Sequence, residues 1–145
     1  MNNKISNIDS SILDDLITGR VEPYIYAFST NTIPNYLKVG DTYRPVDTRI
    51  NEWKKLFPNL VKEFSAPARI DNNTIFRDYA VHSFLIDERG RERLLPSTYS
   101  NIVYYFKEFF KNATIKDLND AIIDIQKSAS ENSGKYQQYT TKRLP

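Results

Sequence analysis

The sequence predicts an α+β domain in which a small three-stranded antiparallel sheet is flanked by helices. Three observations carry this prediction. Two runs rich in aromatic and β-branched residues, PYIYAFST and YLKVGDT, lie a short turn apart, so an antiparallel hairpin is their economical pairing. After Arg44–Pro45 the apolar spacing changes to three and four residues, the period of an amphipathic helix. Ten Tyr, eight Phe and one Trp among 145 residues supply a core that a disordered chain lacks.

In order along the chain, residues 1–21 hold a short helix. Ser10 or Asp9 caps SILDDLITG, Asp14 and Asp15 lie in its early turns and Gly19 stops it. PYIYAFST has apolar side chains at both parities and reads as a buried strand. NTIPN is a turn, and YLKVGDT is the second strand. PVDTRINEWKKLF places Val46, Ile50, Trp53 and Phe57 on one helix face, with Pro45 in the first turn and Pro58 as the stop. NLVKEFSAPARI is a third strand, which Pro67 confines to an edge or an end. NTIFRDYAVHSFLIDERG is a second helix whose stripe is Phe76, Ala80, Val81, Phe84 and Leu85, ended by Gly90. RERLLPSTYS is a loop, and the aromatic block IVYYFKEFF fits either strand or helix. Thr114 and Asp117 form a capping box for a last helix, TIKDLNDAIIDIQKS, carrying Leu118, Ile122 and Ile125. From Ser128 to Pro145 the chain is polar and reads as an extended linker or tail, so the domain proper spans 22–127.

Composition excludes several functions. With no Cys, disulfides, thiol nucleophiles and thiolate metal sites are excluded. A single His argues against a zinc centre, which usually takes three or four His, Cys or carboxylate ligands. No apolar run is long enough to span a bilayer and the N-terminus has no signal-peptide core, so the expectation is a soluble, cytoplasmic protein without a membrane partner. The net charge is +2, but it is unevenly spread. Segments 35–69 and 126–145 each carry +3, and the segments 1–34 and 70–125 each carry −2. Local positive stretches suit a phosphate-bearing partner.

The chemistry-bearing residues cluster in the hairpin and the helix after it. Tyr24 and Tyr26 are two apart on one strand, and Tyr36 and Lys38 are two apart on the next, so each pair shares a sheet face. The hairpin can bring Lys38 beside Tyr26, which makes Tyr26 a candidate base. Arg49 offers a permanently charged fork for a phosphate, although on a helix surface it can instead pair with Glu52 or Asp47. Thr42 and Arg44, just past the second strand, and Tyr36 are candidate contacts to a nucleic-acid backbone. Asp78 is a hard oxygen donor suited to Mg²⁺. His82 follows it by one helical turn.

Tyr24-Ile25-Tyr26, Lys38-Val39-Gly40 and Arg49, in this order and setting, resemble the signature of the GIY-YIG nuclease family over residues 22 to 125. Tyr24 stands where the first motif has Gly, Lys38 where the second has Tyr, and Asp78 where the family has a Glu metal ligand. Asp78-Tyr79-Ala80-Val81-His82 resembles the E-x-x-x-H of the phage-type branch, and Glu108-Phe109-Phe110 resembles its later E-W/F-F block. The resemblance implies a metal-dependent DNA endonuclease. In it Tyr26 would be the base or water-orienting group, Lys38 its activator or the base itself, Arg49 the phosphate clamp and Asp78 the ligand of Mg²⁺ or Mn²⁺, with Tyr24 and His82 as further catalytic candidates. The alternatives are a DNA-binding module that kept the fold without turnover, and an interaction domain whose aromatic block packs on a partner. No recognition helix or zinc finger is present to read a site, so specificity is expected from a separate module. KYQQYTTKRLP resembles the lead-in to a DExD/H helicase, so the expectation is a longer parent protein with a fused or associated helicase.

Overall fold

The computed structural model describes residues 22–96 and 106–142; the helix expected within 1–21 lies outside them. The hairpin forms as expected. β1 (Tyr24–Ser29) and β2 (Tyr36–Thr42) are antiparallel, with Tyr26 opposite Gly40 and Phe28 opposite Lys38. Helix α1 (Val46–Trp53) follows, and Phe57 sits in the turns beyond its end. β3 (Val61–Pro67) pairs with the other edge of β1, with a register shift between Ala27 and Phe28.

The principal sheet has four strands, in the order β3-β1-β2-β6, where the sequence predicts three. The fourth, β6 (Phe109–Lys111), comes from the aromatic block and pairs antiparallel with β2. The reason is geometric: successive strand residues face opposite sides. Phe109 therefore buries on one face of the sheet and Phe110 on the other, an opposition that consecutive helical residues, only about 100° apart, do not make. A second sheet adds β4 (Arg69–Asp71), β5 (Thr74–Phe76) and the C-terminal β7 (Thr140–Lys142), in the order β4-β5-β7.

Two more expectations change. Helix α2 (Asp78–Asp87) begins five residues later than the predicted segment, because Thr74–Phe76 pairs in β5 and Arg77 is extended. Helix α3 (Ile115–Ser130) opens with the expected Thr114–Asp117 capping box but runs past 127. Beyond it Gly134 adopts a positive φ of 76°, Tyr136 is buried, and β7 pairs with β5. The stretch after Ser128 is thus folded onto the domain as far as Lys142. A polar sequence misled because its anchors are two isolated aromatics: Tyr136 enters the core and Tyr139 packs against it.

Each face of the principal sheet carries a core. Tyr26, Phe28 and Phe109 face α1, packing with Ile33, Ile50, Trp53, Phe57, Leu60 and Leu94. Ile25, Ala27, Leu37, Val39 and Phe110 face α2 and α3, meeting Ala80, Val81, Phe84, Leu85, Leu118, Ala121 and Ile125. Among the described residues no helix is long and apolar enough to cross a membrane.

Candidate active site

The α1-side face of the hairpin carries a polar knot inside an aromatic cluster. Tyr26 and Lys38 are each about 1% exposed, and Lys38 Nζ donates to Tyr26 Oη at 2.8 Å. Trp53 Nε1, at the end of α1, donates to the same oxygen at 2.7 Å. Lysine and indole N–H groups are donors only. Tyr26 Oη is therefore held as a double acceptor, with its own proton left for a third partner.

Lys38 is a buried cation, so its burial must be offset by partners. It has a carboxylate, Glu108 Oε1 at 2.6 Å, and two ring faces, Trp53 at 4.2 Å and Tyr26 at 4.6 Å from Nζ to centroid. Gly40 makes the arrangement possible. A Cβ at that position would lie 2.5 Å from Lys38 Nζ and 2.9 Å from Tyr26 Oη. The ammonium and the phenol occupy the space that any other residue's side chain would fill.

Arg49 covers this knot. Its guanidinium lies 4.9 Å from the Trp53 ring centroid and donates to Glu52 Oε1 at 2.8 Å. Partial burial opposes its charge, but the hydrogen bond to Glu52 and the nearby Tyr26 oxygen outweigh that and raise its pKa above the usual arginine value. Arg44 reaches the same carboxylate through both terminal nitrogens, at 2.5 and 2.6 Å. Thr42 organises the approach, since its Oγ1 accepts the Arg44 N–H at 3.0 Å. Hydrogen bonds from Arg44, and then from Arg49, pull the Glu52 carboxyl down to about 2. Its contribution to stability is present above the unfolded value of about 4.5 and is lost as the pH falls toward 2. All three groups are partly exposed. Acid melts should therefore show the parent chain losing under about 1 kcal/mol relative to Glu52→Gln across that window.

Asp78 and His82 lie on α2, against the opposite face of β2. The sequence places Asp78 at the border of an apolar stripe, short of full burial; the structure buries it to 5% exposure. Its backbone N–H donates to Asp41 Oδ2 at 2.9 Å, and Arg77 Nε donates to that same oxygen at 2.7 Å. Its Oδ1 is enclosed without a hydrogen-bond partner. Burial, followed by the Asp41 and Glu108 carboxylates, pushes the Asp78 carboxyl up to about 7. His82 Nε2 lies 2.8 Å from the Val39 carbonyl oxygen, to which it donates, and its ring packs 4.9 Å from Phe110. Burial outweighs that hydrogen bond and lowers its pKa to about 4, so at neutral pH the ring is an uncharged donor that ties α2 to β2.

The structure thus joins Tyr26, Lys38 and Arg49 in one knot and places Arg44 and Thr42 at its rim. Tyr24 is half-buried, opposite Thr42 across the ladder. Tyr36 packs at the far end of β2 opposite Lys111. Among the described residues no hydrogen bond or ion pair links Asp78 to Tyr26 or Lys38. The bridge is Glu108, which pairs with Lys38 and whose charge acts on both Asp78 and His82. Trp53 is the site member whose role sequence reasoning missed, since it was visible only as a position in a core stripe; Glu108 was read as part of the E-F-F block, and its pairing with Lys38 was not foreseen. An unpartnered buried carboxylate oxygen, with two further carboxylates acting on it, is chemically suited to a hard divalent cation. Mg²⁺ commonly takes one or two carboxylates and completes its shell with waters and phosphates. Among the described residues no three His, Cys, Asp or Glu side chains come together to hold a metal ion by themselves. No protein-family model, curated protein or solved structure matches the chain.

Proposed function

We propose that this domain is a GIY-YIG-type endonuclease that hydrolyses DNA phosphodiester bonds with the help of a divalent cation, Mg²⁺ or Mn²⁺. The observation that carries the reading is the Tyr26 hydroxyl oxygen, surrounded by the donors Lys38 and Trp53 and covered by Arg49. With both lone pairs of the phenol engaged by Lys38 and Trp53, its own proton is the group left to orient an attacking water, and that proton must leave before this oxygen can act as a base. Arg49 and Arg44 present guanidinium forks to the scissile phosphate and its neighbours. Lys38, its charge paired with Glu108, fixes the phenol in place. Asp78 would hold the cation, which supplies Lewis-acid stabilisation of the departing oxygen when bound. His82 and Gly40 act on the site through β2, the first by gripping the Val39 carbonyl and the second by leaving room. Target choice would come from a fused or associated module such as a helicase.

A second reading, a DNA-binding module without turnover, is favoured by the near-complete burial of Tyr26. Nicking of supercoiled plasmid with Mg²⁺ or Mn²⁺, run beside a DNA-binding titration at several salt concentrations, separates the two. The parent chain should nick, and Tyr26→Phe should lose about 10²-fold or more of the rate while still binding DNA. Salt-sensitive binding without nicking under either metal would establish the second reading.

A further inference from the structure

The rim of the site contains an anion that belongs to the chain itself. Glu52 presents one oxygen to Arg44 Nη1, and its other oxygen to Arg44 Nη2 and Arg49 Nη1, with all three contacts between 2.5 and 2.8 Å. A carboxylate and a phosphodiester each offer two oxygens sharing one negative charge, and the guanidinium fork binds both with the same geometry. The pair is not anchored elsewhere in a way that would make Glu52 indispensable. Arg49 is stacked on Trp53, and the Arg44 backbone is fixed by Thr42. Arg44, Arg49 and Glu52 all reach solvent, with side-chain exposures of 26%, 32% and 35%. The carboxylate can therefore swing away without unpacking the core.

From this geometry we infer that Arg44 and Arg49 form a phosphate site whose resident occupant is Glu52, so that a phosphodiester binds by displacing that carboxylate. The identity of the anion as DNA rests on the nuclease reading, whereas the exchange itself does not. A self-occupied site lowers apparent affinity by the fraction of time the fork is free. It also holds the guanidiniums ready and keeps stray anions off the Tyr26–Lys38 knot. Hydrogen bonds from Arg44 and then Arg49 keep Glu52 ionised far below neutral pH, so at working pH the competitor is always charged.

The test compares the parent chain with Glu52→Gln and with Glu131→Gln, an equal change in net charge at the C-terminal end of α3, on the opposite side of the principal sheet. Inorganic phosphate is titrated while the arginine Nε–H signals are followed by NMR, and a labelled DNA duplex is titrated by fluorescence anisotropy. Glu52→Gln should bind phosphate at least about fivefold tighter, with the shifts at Arg44 and Arg49, and Arg49→Ala in the same background should erase the gain. Glu131→Gln should leave affinity unchanged. A folded Glu52→Gln that binds phosphate no tighter than the parent overturns the inference, as does an equal gain from Glu131→Gln. Should Gln at 52 fail to fold, Glu52→Asp, which withdraws the carboxylate by one methylene, reads the same competition with the same two outcomes. A phosphate gain without duplex binding by either protein would keep the anion site and remove DNA as its ligand.

Discussion

Asp78→Asn is expected to lose about 10³-fold of metal-dependent nicking while melting no lower than the parent chain. On the stripe-border position that the sequence predicts, this change would be nearly neutral for stability. Burial alters the expectation. A carboxylate with one oxygen enclosed and unpartnered, close enough to feel Asp41 and Glu108, is a cost to the folded state. Asparagine keeps the volume and removes the charge, so the melting temperature in the absence of metal should hold or rise. The helix terminus is unaffected, because the contact to Asp41 is made by the backbone N–H of residue 78. Turnover should fall because a cation held there is worth several kcal/mol of charge stabilisation in the transition state, and about 4 kcal/mol corresponds to three decades. DNA binding through the arginine rim should persist. Undiminished cleavage by Asp78→Asn would remove this carboxylate from the site and leave Glu108, already bound to Lys38, as the acidic group to test. Glu63 is a weaker candidate, since it accepts from Ser29 Oγ at 2.6 Å on the edge strand β3.

Gly40→Ala is expected to cost about 1–3 kcal/mol and at least 10²-fold in nicking. The backbone of Gly40 does not require glycine, because its φ is not among the positive values; the constraint is space. A methyl group there meets Lys38 Nζ at 2.5 Å and Tyr26 Oη at 2.9 Å, with Tyr26 Cζ at 3.1 Å behind it. The ammonium is the flexible partner and must yield. It is enclosed by Tyr26, Trp53 and Glu108, so moving it breaks the 2.8 Å bond to the phenol and strains a packed cluster. Lys38→Met shortens that side chain by one atom and removes the ammonium. The double variant Lys38→Met/Gly40→Ala should therefore recover part of the stability lost by Gly40→Ala and none of the activity, a non-additivity readable by thermal melts. If Gly40→Ala melts and nicks like the parent, the ammonium does not sit over residue 40, and the proposed knot is wrong.

The parts of this protein that depend on local pattern were legible in its residues. The β1–β2 hairpin follows from two β-rich runs across a short turn. The Ile50–Trp53–Phe57 face of α1 follows from helical spacing, and the start of α3 from Thr114 and Asp117. The pairing of Tyr26 with Lys38 also follows, because strand parity and a hairpin fix which side chains share a face. What depended on distant partners was not legible. β6 forms because β2 offers an open edge and two faces that need a phenylalanine each. Thr74–Phe76 leaves the helical pattern because β4 and β7 complete a sheet around it, and β7 lies more than sixty residues away. Asp78 looks like a border residue on its own helix, and only the packing of α2 against β2 encloses it. Trp53 was a core position until its indole N–H met the Tyr26 hydroxyl, and Glu52 was a surface partner of Arg49 until Arg44 folded back eight residues to share it. Sequence period records which way a side chain faces. Tertiary packing decides what it meets there and whether water is excluded, and at this site those two conditions set the charges.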